Sequence, residues 1–207
     1  MRHSGYIFSI FLSFFLNELH AQSAWYTKIQ DYRDSVNMAY ANAESSILPA
    51  EHLELFRGLP FYEPDSAFVV YATVKKIKKA KWFFMKTTTD RLPEYRPYAE
   101  IKFELEGKNH RLICYQSRQL MNNPDYEDYL FLPFTDLSSG EGSYGGGRYL
   151  DLRLGEIKKG RVVLDFNYAY NPYCAYNHKY SCPIPPAENH LNVAIKAGAA
   201  AYNYPAD

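Results

Sequence analysis

The chain has no surplus of charge of either sign: Lys and Arg together number 23, and so do Asp and Glu. Removing the first 21 residues takes away one of each, Arg2 and Glu18, so a processed chain stays neutral. A nucleic-acid binder needs a basic stripe that displaces counterions, and attachment to an anionic membrane surface needs one too, so neutrality argues against both partners. Long apolar runs are missing as well. The run Ile7 to Leu16 is ten residues, whereas a membrane span takes about 20, so no stable membrane insertion of the mature chain is expected. No internal repeat appears, and no Pro-, Gly- or Ser-rich linker divides the chain. A length of 207 residues suffices for one full hydrophobic core, and residues 22–207 read as one soluble globular domain.

The N-terminus has the pattern of an address. Arg2 and His3 precede the uncharged run, a polar stretch follows it, and the small residue Ala21 suits the position before a signal-peptidase cut. Residues 1–21 are therefore expected to be a signal peptide, with cleavage after Ala21 or Gln22 and a periplasmic or secreted destination. No cysteine lies near the cut to carry a lipid.

What is abundant is aromatic: twenty Tyr and thirteen Phe, side chains that favour pleated, half-buried surfaces. From Trp25 to Ser45, apolar residues recur mostly at helical spacing through Ile29, Tyr32, Val36, Met38, Ala39 and Tyr40, which predicts an amphipathic helix. Pro49 and Gly58 bracket a second short helix over Ala50 to Arg57. After Pro64 the pattern turns to strands. Ala67 to Val74 is β-branched and aromatic, and Lys81 to Thr87 resembles its hairpin partner across the basic connection Lys75 to Lys79. Ala99 to Leu105 alternates cleanly and turns at Glu106-Gly107 into Arg111 to Gln116, a hairpin. Further strands are expected at 129–134, 148–154, 161–167 and 191–197. The fold class expected is α+β, with N-terminal helices and a predominantly antiparallel sheet closed as a barrel or sandwich.

Two stretches concentrate polar chemistry. Leu137 to Arg148 holds five glycines in twelve residues. Such a loop can point backbone N–H groups at an anion while Arg148 clamps it, or can simply serve turn geometry. It is not a P-loop, because the Lys-Ser/Thr ending is absent. The second stretch runs from Asp165 to Cys182. There Asp165 and Asn167 share one face of a strand end, with Tyr170, Asn171 and Cys174 following; these side chains either orient a ligand or pin an irregular loop. Cys174 and Cys182 would form a disulfide in an oxidising compartment, worth roughly 2.5 kcal/mol in the chain-entropy model. The alternatives are a Cys174 nucleophile with His178 or His190 as base, or a metal site from these four residues, although the spacing is unusual for zinc. Cys114 reads as a buried small hydrophobe. No cofactor motif is present.

The runs Tyr129 to Asp136, Tyr144 to Asp151, Asp165 to Tyr176 and Cys182 to Asn189, together with Met85 to Arg91, resemble the bacterial domain-of-unknown-function family 1684. The resemblance covers roughly 28–198. It falls on Asp136, Tyr144, Gly145, Arg148, Asp165, Asn167, Asn171, Cys174, Cys182 and Asn189, and it implies no particular reaction. Three expectations about function follow. The first is a small-molecule or glycan-binding module whose polar cleft lies between the glycine loop and the Asp165–Cys182 stretch, with Tyr144, Arg148, Asp165, Asn167, Tyr170 and Asn171 as ligand contacts. The second is a hydrolase-like enzyme using Asp165 or Cys174. The third is a purely structural or envelope-interaction protein.

Overall fold

The computed structural model describes residues 4–203, with side chains from residue 22 onward. The expected export segment, 1–21, lies outside the fully described residues. Helix α1 runs Ser4–Ala41, and α2 is a single turn, Ala50–Leu53, shorter than the 50–57 expected. Among the described residues no helix is long and apolar enough to cross a membrane.

The stripe Trp25, Ile29, Tyr32, Val36 and Tyr40 advances by three or four residues, so these side chains share one face of α1. Ile29 on that face is fully buried. The Trp25 indole donates to Asp165 Oδ2 at 2.8 Å. The Tyr32 ring meets Tyr168 at 5.0 Å, and the Tyr40 ring meets Tyr176 at 5.1 Å, both edge to face. Arg33, one residue round, donates to the Tyr62 carbonyl at 2.7 Å. The helix is thereby fastened along the 165–176 stretch.

Eight strands form the sheet: β1 Val69–Lys76, β2 Phe83–Phe84, β3 Glu94–Leu105, β4 Lys108–Ser117, β5 Tyr129–Asp136, β6 Arg148–Arg153, β7 Arg161–Asp165 and β8 His190–Leu191. The order is β6-β5-β4-β3-β1-β7, all antiparallel, with β2 added on β3 and β8 parallel to β5. The β3–β4 hairpin is as expected. Glu106 and Gly107 both take positive φ, 52° and 69°, the primed turn whose twist matches that of its strands.

Two expectations are corrected. Phe83 and Phe84 pair with Tyr95 and Glu94 of β3, not with β1. The reason is that β3 and β7 already occupy both edges of β1. Nor does the sheet close into a barrel or sandwich: β6 and β7 do not pair, leaving an open half-barrel. Beyond β7 the chain enters a 3-10 turn, Phe166–Tyr168, and reaches β6 only through Tyr170, whose N–H and carbonyl pair with those of Tyr149 at 3.0 and 2.9 Å. Tyr32 of α1 and Tyr168 line the gap that remains.

Period-two alternation divides the sheet chemically. Leu130, Leu132 and Phe134 of β5 and Leu150 and Leu152 of β6 face an aliphatic core. Tyr129, Phe131 and Tyr149 between them face an aromatic one, with Tyr95 and Tyr115. The aliphatic face is covered by Leu191, Val193, Ile195 and Ala197, alternate residues of the C-terminal stretch. That stretch was expected to be a strand over 191–197, but only His190–Leu191 is one. The rest lies over the sheet's face, where Leu137 N–H donates to the Val193 carbonyl and side chains satisfy several of the backbone groups that follow.

Candidate functional site

Those side chains are Arg148 and Asp136. Arg148 is fully buried. Its guanidinium donates to the carbonyls of Ile195, Ala197 and Ala199 at 2.6, 2.5 and 3.0 Å, and to Asp136 Oδ2 at 3.0 Å. Asp136 Oδ1 accepts the N–H of Ile195 at 3.1 Å and that of Ser138 at 2.8 Å. Arg148, expected to clamp a ligand, is instead the pin between the sheet and the C-terminal stretch. The glycine before it serves the same packing: Gly147 has φ 88°, and a Cβ there would stand 2.5 Å from the Phe134 carbonyl.

Most of the other expected contacts also belong to the architecture. Asn167 is fully buried; its amide accepts from Asp65 N–H and donates to the Asp65 carbonyl, each at 2.9 Å, and donates to Asp165 Oδ1 at 2.8 Å. Both Asp165 oxygens accept hydrogen bonds from the protein, Oδ1 from Asn167 and Oδ2 from Trp25. Asn171 ties the Ala200 carbonyl at 2.8 Å. Tyr144 does reach the second stretch, its hydroxyl 3.8 Å from Cys174 Sγ. The two polar stretches are thus neighbours, yet Tyr144 packs with Leu48, Leu59 and Tyr176.

The expected disulfide is not formed: Cys114, Cys174 and Cys182 are all free and buried. Cys174 N–H donates to Cys182 Sγ at 3.1 Å, while backbone and side-chain bonds to Thr88 hold Cys182 in place. The Cys182 thiol favours the Cys174 thiolate by hydrogen-bonding to it, and is itself raised by that contact. Cys182, Tyr144 and Thr88 are the side chains that lower the Cys174 thiol. His190 Nδ1 pairs with Thr135 Oγ1 at 3.0 Å. Among the described residues no three His, Cys, Asp or Glu side chains converge on a metal position.

One expected contact, Tyr170, does open onto a cavity, of about 500 Å³. Helix α1 supplies one wall through Tyr32, Val36 and Tyr40. The aromatic face of the sheet supplies another through Tyr95, Tyr129, Phe131 and Tyr149. The turn after β7 closes the third side with Tyr170, Tyr173 and Cys182. Asp151, two residues beyond Tyr149 and so on the same face of β6, is the carboxylate of this lining. The hydroxyls of Tyr129 and Tyr170 both donate to its Oδ1, at 2.7 and 2.6 Å, and the Tyr149 hydroxyl donates to the Pro183 carbonyl. Rings are set edge to face, Phe131 on Tyr149 at 4.7 Å and Tyr149 on Tyr170 at 5.7 Å. Anchored hydroxyls and interlocked rings give the walls a fixed shape before any ligand arrives. A shallower hollow between β6 and β7 shares Tyr32, Asp151 and Tyr170 with this cavity. A larger one, about 720 Å³, lies elsewhere, lined by Glu63, Asp65 and Glu106 but also by Lys108 and Lys196, a mixture of signs that selects no ligand charge.

Burial, and after it the Asp151 carboxylate, makes these phenols hard to ionise: Tyr32 is pushed up to about 12, and Tyr129 is raised further. Tyr149 and Tyr170 are raised as well, by burial first. In the unfolded chain the same groups ionise near pH 10. Above that pH the unfolded state binds fewer protons than the folded one, so stability falls as pH rises. Spectrophotometric titration is expected to show the buried phenolates appearing together at a cooperative alkaline unfolding step; independent ionisation of all tyrosines near pH 10 in a still-folded protein would contradict this geometry.

Sequence reading passed over Asp151, Tyr129 and Tyr149, although their strands were expected. The available signal was the alternation Tyr129-Leu-Phe131 and Tyr149-Leu-Asp151, which puts rings and acid on the face opposite the leucines.

A solution NMR structure of an uncharacterised protein from Haloarcula marismortui is similar to this chain at 33% identity, with a TM-score of 0.66, covering 87% of this chain and 96% of that one. No curated protein matches. The sequence pattern of the family described as protein of unknown function (DUF1684) matches residues 54–200, a range that includes β1 to β8, the cavity's sheet wall and the turn that closes it. The chain therefore belongs to the DUF1684 family.

Proposed function

We propose that this chain is a binding module for a small organic ligand, taken up between α1 and the aromatic face of the sheet. The observation that carries this reading is the cavity of about 500 Å³ walled by tyrosines, with the hydroxyls of Tyr129, Tyr149 and Tyr170 already anchored. Its volume falls within the range of about 300–1,000 Å³ in which proteins hold small ligands. Flat rings around one carboxylate combine apolar contact area with a single orienting group, which is the usual composition of such sites. A concave, partly polar cavity favours binding over a purely structural role.

The test is a fragment and metabolite screen read by the ring resonances of the cavity tyrosines. Binders are expected to shift Tyr129, Tyr149 and Tyr170, and Val36→Trp, which fills the cavity from the half-exposed helix wall, is expected to abolish those shifts while leaving the unfolding temperature near that of the parent. Binders whose shifts persist in Val36→Trp would place the ligand elsewhere and end the proposal.

A further inference from the structure

We infer that the ligand of this cavity is an organic ammonium ion, its charged head set against tyrosine faces and paired with Asp151. The inference rests on the binding reading above and specifies the chemistry it selects. The face of an aromatic ring carries negative potential and attracts a cation, most strongly where water is excluded. Here that attraction has a formal charge beside it. Asp151 Oδ1 takes both tyrosine hydroxyls, whereas Oδ2 receives no hydrogen bond among the described residues, and the carboxylate is exposed. One oxygen is therefore fixed in direction by the protein, and the other is left to a ligand.

Compensating positive charge is not part of the lining. Neither the cavity nor the adjoining hollow is lined by Lys or Arg, and the hollow adds Glu156 and Asp165 to Asp151. Two guanidinium groups touch lining residues without lining the cavity themselves. Arg153 is held by Asp128 at 2.7 Å and the Asp125 carbonyl at 2.8 Å, and Arg91 by the Ser181 carbonyl at 2.8 Å. Arg153 lies 5.4 and 5.6 Å from the ring centres of Tyr126 and Tyr129, so rings of this cluster already accept a cation. An anionic ligand would meet Asp151 with no partner for its own charge. A neutral sugar would use the rings but bring no charge to Asp151, whose own attraction to Arg153 is shared with Asp128.

The experiment titrates the purified protein with choline, with butylammonium, with the neutral isostere of choline in which carbon replaces nitrogen, and with maltose, by calorimetry and by tyrosine ring shifts. At least one ammonium probe is expected to bind about tenfold or more tighter than the isostere and maltose, the size of one charge-assisted contact. Asp151→Asn keeps an oxygen for the two tyrosine hydroxyls, and is expected to lower that affinity about tenfold at an unchanged unfolding temperature. The comparison of choline with its isostere needs no variant. Equal affinity for the isostere or for maltose, or unchanged ammonium binding in Asp151→Asn, overturns the ammonium assignment and leaves the cavity a binding site. No shift of the cavity rings with any probe overturns the ammonium assignment and counts against the binding reading too.

Discussion

Replacing Arg148 by methionine is expected to lower the unfolding free energy by about 3–5 kcal/mol, the typical cost of removing one partner from a buried ion pair. For a chain of this length that corresponds to a fall of roughly 6–20 °C in unfolding temperature. The cost arises on both sides of the pin. Asp136, itself fully buried, loses its countercharge, and the carbonyls of Ile195, Ala197 and Ala199 lose their donor in a place water does not reach. Methionine matches the length of the aliphatic stem, so the loss reads polar pairing more than volume. Removing the second charge as well, in Asp136→Asn with Arg148→Met, is expected to cost less than the two single changes added together, because no bare ion remains. Denaturant unfolding of the four proteins measures this; a loss under about 1 kcal/mol for Arg148→Met would mean that the guanidinium does not hold the C-terminal stretch.

A second large loss is expected at Asn189, for a reason that begins with a proline. β5 lies between β4 and β6, yet it contains Pro133, which has no N–H to give to a ladder. Extending the Tyr115–Phe131 register by two residues brings Ile113 opposite Pro133. At that point the side-chain amide of Asn189 stands in for a strand. Its oxygen accepts from Ile113 N–H at 2.8 Å, and its nitrogen donates to the carbonyls of Ile113 and Pro133 at 2.8 and 2.6 Å. Asn189→Ala leaves those three buried backbone groups without partners and is expected to cost about 2–4 kcal/mol. Amide hydrogen exchange gives the sharper check, since protection at Ile113 should fall by more than at Leu112 or Cys114 of the same strand. Uniform loss along β4 would mean that the amide acts only through global stability.

These two residues explain why part of the fold was legible and part was not. The β3–β4 hairpin could be read because its causes are local: a strict alternation from Ala99 to Leu105, and two residues that accept positive φ. Helix α1 was legible over Trp25 to Tyr40 for the same kind of reason, one stripe at one spacing. The pairing of β2 was not, because Phe83 and Phe84 go wherever an edge is free, and which edges are free depends on β7, some eighty residues later. Closure as a barrel failed similarly: β6 and β7 each have the composition of a pairing strand, but the turn pinned by Asp165 and Asn167, with α1 fastened beside it, directs the chain away from the second edge.

The candidate site shows the same division. Clustered Asp, Asn, Gly and Arg residues drew attention to the stretches around Arg148 and Asp165, and most of them proved to bind backbone. Polar residues in irregular segments either meet a ligand or replace missing ladder bonds, and composition does not distinguish the two. Tyr170 was the exception, reaching the cavity because the Tyr149–Tyr170 bridge brings its ring beside β6.

Composition and local pattern alone determined a neutral chain, an amphipathic helix beginning by Trp25, expected to reach Ser45 and ending at Ala41, and a set of antiparallel strands, since charge, helical spacing and strand alternation are properties of neighbouring residues. Tertiary structure decided that Arg148 and Asn189 would serve as surrogate backbone partners, that the sheet would stay open, and that tyrosines from α1, three strands and two turns would line one cavity with Asp151. Each of those outcomes depends on which groups remain unpaired after the long-range contacts form, a quantity that no stretch of the chain carries by itself.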